Sequence, residues 1–145
     1  MHTTRTLRAT LLLSGLIAAG IGATILLDPA GFHAGHDIAL GTDASLLSEV
    51  RAPGGALMAL GLLTLAGAFA RSLAPTAAAV GTTVYLSYGV SRLVALTLDG
   101  LPHPGLLVAT AAELLLGLAL ALAWRHAVRR ARHQVQALAD RGALA

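Results

Sequence analysis

Four apolar runs, each about as long as a bilayer core is thick, constrain this chain more than anything else in it. They cover residues 7–27, 52–70, 76–98 and 105–124. About 20 apolar residues wound as an α-helix cross the hydrocarbon of a membrane. In the first run Arg8 is the only ionisable residue, and its hydroxyls (Thr10, Ser14, Thr24) can return their hydrogen bonds to the helix backbone. A cleaved signal peptide is the rival reading of that run, since Arg5 and Arg8 resemble a basic leader. The run continues through Thr24-Ile25-Leu26-Leu27, past the roughly 7–15 apolar residues of such a leader. A retained helix is expected.

Composition agrees. Hydrophobic residues make up 56% of the 145 and charged residues 12%, with a mean hydropathy of +0.74, whereas soluble domains carry about a quarter charged residues. Too little polar surface remains to face water on every side. There is no cysteine, which excludes disulfides, thiolate metal sites and cysteine nucleophiles. All ten basic residues are arginine, for a net charge of +3, and half lie at or beyond Arg125. A nucleic-acid binder would spread them over a solvated face, so membrane topology accounts for them better and no nucleic-acid partner is expected.

The breaks between runs set the topology. Asp28-Pro29 stops the first helix, residues 28–48 read as a polar connection, Arg71 to Pro75 is a short break, and Asp99 to Pro104 is a compact turn. An all-α, integral-membrane bundle of four transmembrane helices, running up, down, up and down, follows. Arg5, Arg8, Arg71, Arg125, Arg129, Arg130 and Arg132 fall on one side of it; Asp28, Asp37, Asp43 and Asp99 fall on the other. Arginine-rich flanks stay in the cytoplasm, so both termini are expected there, with the protein in the cell (inner) membrane. Residues 1–124 form the membrane domain and 125–145 a cytoplasmic, arginine-rich tail, in which Val128, Ala131, Val135 and Leu138 recur at helical spacing. That tail reads as a helical extension at the membrane surface or as a contact helix for a partner.

The residues that carry chemistry are the ionisable ones placed where lipid is expected. A charge at a helix centre costs about 2.5–3.5 kcal/mol on insertion scales, so such groups face one another inside a bundle. Tyr85, Arg92 and Asp99 repeat at seven-residue spacing with Tyr88 slightly offset. Glu113 lies eight residues past Gly105, roughly 12 Å deep at the helical rise. It sits on a stripe of small residues (Ala109, Gly117, Ala121) that allows a neighbouring backbone to come close. The tight turn puts Arg92 and Glu113 at similar depths, and a charge-assisted contact between them is expected. Glu49 and Arg51 precede Pro53-Gly54-Gly55 at the outer mouth. The candidate binding residues are therefore Glu49, Arg51, Tyr88, Arg92, Asp99 and Glu113, lining an outward-opening polar pocket or forming a closed network that fixes helix register. His33, His36, Asp37 and His103 read as solvated loop residues, not as a metal site. No nucleophile elbow and no phosphate-binding loop is present.

Several of these residues also carry a family likeness. Asp28-Pro29, the stretch from Leu40 to Gly55, Tyr88-Gly89-Val90-Ser91-Arg92, Asp99-Gly100-Leu101-Pro102 and Glu113 resemble a bacterial family of four-helix membrane proteins, domain of unknown function 4345, which is broadly DoxX-like. The resemblance covers nearly residues 10–124 and leaves the arginine-rich tail outside. It implies a four-helix membrane bundle and no established activity; DoxX-like relatives include accessory subunits of membrane redox enzymes, a likeness of fold alone. The expectation is a multi-pass protein, without cofactor and non-enzymatic, that binds a small molecule, lipid or quinone-like ligand, alone, as a homo-oligomer or within a larger membrane complex. A small proton-coupled transporter and a purely structural scaffold are the alternatives.

Overall fold

The computed structural model describes residues 5–142, with the side chains of 130, 131 and 134–142 left aside, and every regular element among the described residues is an α-helix. The elements are α1 (Arg5–Leu27), α2 (Pro29–Ala34), α3 (Ala44–Phe69), α4 (Ala74–Asp99) and α5 (Pro104–Gly142). Two of them depart from the connection expected over residues 28–48. Asp28 caps a new short helix, its Oδ1 accepting from Gly31 N at 2.9 Å, with Pro29 in the first turn. Such a cap satisfies an amide that the helix itself leaves unpaired. Asp43 does the same for α3, accepting from Leu46 N at 2.7 Å. That cap starts α3 eight residues before position 52, so Pro53 lies inside the helix and not at its start. Replacing Asp43 with alanine removes the cap, and about 1 kcal/mol of stability should go with it. Faster amide exchange confined to residues 44–50 would register the loss.

Among the described residues three helices are long and apolar enough to cross a membrane: Arg5–Leu27, Ala44–Phe69 and the Pro104–Arg129 part of α5. The run expected over 76–98 is α4, as long as α3 at 26 residues. Its hydroxyls (Thr76, Thr82, Thr83, Tyr85, Ser87, Tyr88, Ser91, Thr97) and Arg92 make it more polar than those three stretches. On α1 the hydroxyls turn inward to the backbone as expected, Ser14 donating to Thr10 O at 2.6 Å and Thr24 to Gly20 O at 2.9 Å.

The buried core is built from small side chains. Ala18, Ala68, Ala74, Ala77, Ala78, Ala123 and Ala127 are buried with Leu7, Leu11, Leu120 and Tyr85. Large apolar side chains point out instead: Leu16, Phe69, Leu98, Val108 and Leu115 are each at least 65% exposed. A water-soluble protein of this size would bury them, whereas lipid is as good a neighbour as protein.

Glycines let the backbones meet. A Cβ on Gly15 would lie 2.6 Å from Leu65 N, and one on Gly54 would lie 2.7 Å from Ile25 Cγ2. A side chain on Gly22 or Gly61 would strike the backbone of Met58 or Ala19 respectively. Gly55, by contrast, has only ordinary contacts near Leu26. The pairing order (Gly15 with Leu65, Gly22 with Met58) shows that α1 and α3 are antiparallel. Gly89 against Leu114 and Gly117 against Leu86 show the same for α4 and α5.

The last helix continues past Trp124 without a break to Gly142. Within its amphipathic pattern Val128 is half-buried; Ala131, Val135 and Leu138 lie outside the described side chains.

Candidate functional site

Arg92, in the C-terminal half of α4, and Glu113, on α5, meet in a single ion pair. The Arg92 Nε donates to Glu113 Oε2 at 3.0 Å and Oε1 at 3.2 Å, with 33% of the arginine side chain and 16% of the glutamate side chain exposed. Antiparallel packing produces this: Gly89 and Gly117 hold the two helices close enough for the side chains to span the gap. Only Nε is used. Among the described residues nothing accepts from Nη1 or Nη2.

Arg92 lines two cavities. The first, of about 130 Å³, is a cleft whose α1 wall is Ile17, Ala18, Ile21 and Ile25 and whose α5 wall is Leu106, Ala109, Ala112, Glu113 and Leu116. Tyr85, Tyr88 and Arg92 of α4 form its polar back, and Phe32 of α2 and His36, in the turn that follows α2, close the end nearest the α4–α5 turn. Helices α1 and α5 meet through Leu7, Leu11, Ala123 and Ala127 in their other halves, and the cleft is where they part. Tyr85 is buried and fixed, its hydroxyl donating to Ser14 O at 2.6 Å. Tyr88 is 38% exposed and makes no such bond. The second cavity, of about 240 Å³, lies between the outer ends of α4 and α5 and is lined by Arg92, Asp99, Thr110 and apolar neighbours including Leu106.

The six candidate residues thus divide. Tyr88, Arg92 and Glu113 share the cleft, and Arg92 shares the second cavity with Asp99. Glu49 and Arg51 line neither. Glu49 is exposed. Arg51 instead reaches the C-terminal end of α1, where its Nη1 donates to Leu26 O and, at 3.2 Å, to Leu27 O. Those carbonyls have no intrahelical partner, and a cation at a helix C-terminus also suits the dipole. Arg51 is a cap for another helix, which a sequence cannot show because the capped residues lie 24 and 25 positions away.

Two lining residues fall outside the six candidates: Phe32, which sequence reasoning did not single out, and His36, which it read as a solvated loop residue. Phe32 belongs to α2 and His36 to the turn after it, and a six-residue helix leaves almost no periodic signal. His36 Nδ1 bonds Phe32 O at 3.1 Å, its ring stands edge-on to His103 at 5.8 Å, and His103 Nε2 lies 3.8 Å from Asp37 Oδ2. This row of side chains pins α2 against the start of α5. Among the described residues no group of histidines and carboxylates has the convergence to hold a metal ion.

A family model described as Domain of unknown function (DUF4345) matches residues 6–139. Neither a curated protein nor a solved structure matches the chain.

Proposed function

The chain belongs to the DUF4345 family, and from that premise we propose that it is an integral membrane protein whose four long helices (α1, α3, α4 and α5) span the bilayer as an up-down-up-down bundle and whose cleft binds a small amphiphile. The observation that carries this is the Arg92 guanidinium, held by Glu113 through one nitrogen and offering its remaining donors at the back of an apolar cleft. Ligand sites of this kind combine apolar walls with a few placed polar groups. A cavity of about 130 Å³ is close to the roughly 150 Å³ engineered cavity that accepts a benzene ring. One ring-sized head fits, a quinone-like head among them, with its carbonyl or hydroxyl on Arg92 and Tyr88. An apolar tail leaves between α1 and α5, where Ile21 is 40% exposed.

The fourth span is α4. Its polar face looks inward to the cleft, while Val90, Leu93, Val94 and Leu98 are exposed on the other side, as lipid contact requires. Arg5, Arg8, Arg71, Arg125 and Arg129 flank one end of the bundle, while the aspartate end holds Arg51, and that excess supports cytoplasmic termini in the cell membrane. An accessory role beside a larger membrane complex follows the DoxX-like resemblance and nothing finer.

Glu113→Gln tests the reading in the full chain in nanodiscs, with a short-tailed benzoquinone as probe. The amide keeps the shape but no longer anchors the guanidinium ionically. Thermal stability should stay within about 1 kcal/mol while probe binding weakens about tenfold. Unfolding with no separable loss of binding would favour a scaffold in which the pair only sets register. Proton flux through the wild type that disappears in the variant would favour a transporter, a reading supported by the two cavities meeting at Arg92.

A further inference from the structure

The second cavity has a chemistry of its own. It is roomier than the cleft, at about 240 Å³. One end carries Arg92 and the mouth carries Asp99, which is exposed; among the described residues nothing accepts from the Arg92 Nη donors and nothing pairs with Asp99. Between them lie Ala95, Leu96, Leu106 and Leu107. Opposite charges thus stand at the two ends of one short apolar trough. Seven residues of α4 separate them, about 10 Å along the axis. A single small anion would satisfy the arginine and meet repulsion from the aspartate; a lone cation would meet the reverse.

We propose that this cavity binds a group with an anion and a primary ammonium a few atoms apart, of the phosphoethanolamine type, with phosphate on Arg92 and ammonium on Asp99. Guanidinium donors match phosphate oxygens. A two-carbon linker, with hydrogen bonds of about 3 Å at each end, bridges the separation. The source is either the headgroup of a phospholipid or the free phosphomonoester. Position favours the lipid: Leu101 lines the cavity, Leu98 and Val108 adjoin its lining residues Asp99 and Leu107 in sequence, and all three are at least 70% exposed, an apolar shelf for acyl chains. The site goes beyond the cleft reading, because Asp99 does not line the cleft.

Native mass spectrometry of the full chain in detergent, with equimolar phosphatidylethanolamine, phosphatidylglycerol and phosphatidylcholine, tests it. The ethanolamine lipid should bind preferentially by about fivefold, the upper range for a partly exposed ion pair. Phosphatidylglycerol lacks the ammonium, and the choline nitrogen has no proton to donate. Asp99→Asn, at an exposed helix end, should bring the three lipids to parity. Ala95→Leu, at an exposed lining position, should lower ethanolamine-lipid binding by filling the trough. Free O-phosphoethanolamine supplies the second arm: if it binds as tightly as the lipid and displaces it, the chemistry stands and the source is soluble. Equal binding of all three lipids by the wild type, or an unchanged preference in Asp99→Asn, overturns the proposal. Because that variant leaves the cleft intact, benzoquinone binding should persist in it, so the two sites fail separately.

Discussion

Gly61→Leu should separate α1 from α3 and melt far below the wild type in detergent. At this position a Cβ would collide with the backbone of Ala18 and Ala19, and backbone cannot rotate away as a flexible side chain can. Overpacking of a tight core costs about 1–3 kcal/mol, and a leucine against main chain belongs at or above the top of that range. Better intrinsic helix propensity returns at most about 1 kcal/mol, so the clash wins. Gly20 supplies the control, since a Cβ there meets nothing within 4 Å. Gly20→Ala should leave melting unchanged or slightly raised. Equal melting of Gly61→Leu and Gly20→Ala would show that the two helices are not seated as described.

Arg92→Leu comes second in size. It strips Glu113 of its partner in a site where only 16% of the carboxylate side chain is exposed. Removing one member of a fully buried pair costs about 3–5 kcal/mol. With a third of the arginine exposed, about 2 kcal/mol is the fitting expectation. The double variant Arg92→Leu/Glu113→Leu should recover most of that loss, because two apolar side chains can replace a pair at little cost. Benzoquinone binding should stay absent in the double variant. Recovery of stability and binding together would remove Arg92 from the site.

Much of this arrangement was legible in advance, for reasons particular residues make plain. The four apolar runs correspond to the four long helices because length and hydropathy survive any detail of packing. Arg92 and Glu113 could be paired because one tight turn between two helices fixes their relative depth. The outer end was harder. Asp43 reads as a loop residue until its carboxylate is seen on Leu46 N, so α3 begins earlier than the apolar pattern suggests. Pro53 then reads as a start signal although it lies within the helix. Arg51 and Glu49 seemed to join the polar cluster by proximity along the chain. The choice between α1's carbonyls and the cleft depends on which helix stands beside α3, and that is tertiary information.

The placement of Arg92 also bears on how the protein is made. In the spanning arrangement proposed above, α4 is the helix that would enter a bilayer least willingly on its own, since an arginine costs up to about 2.5–3.5 kcal/mol at a helix centre and Arg92 lies about two turns inside the end of α4. Its counter-charge arrives only with the next segment, after the turn at Gly100–His103. Insertion of α4 should therefore wait for α5, the two entering as a single hairpin with the charges already matched. Biogenesis, on this account, has one committed step, and it falls late in synthesis.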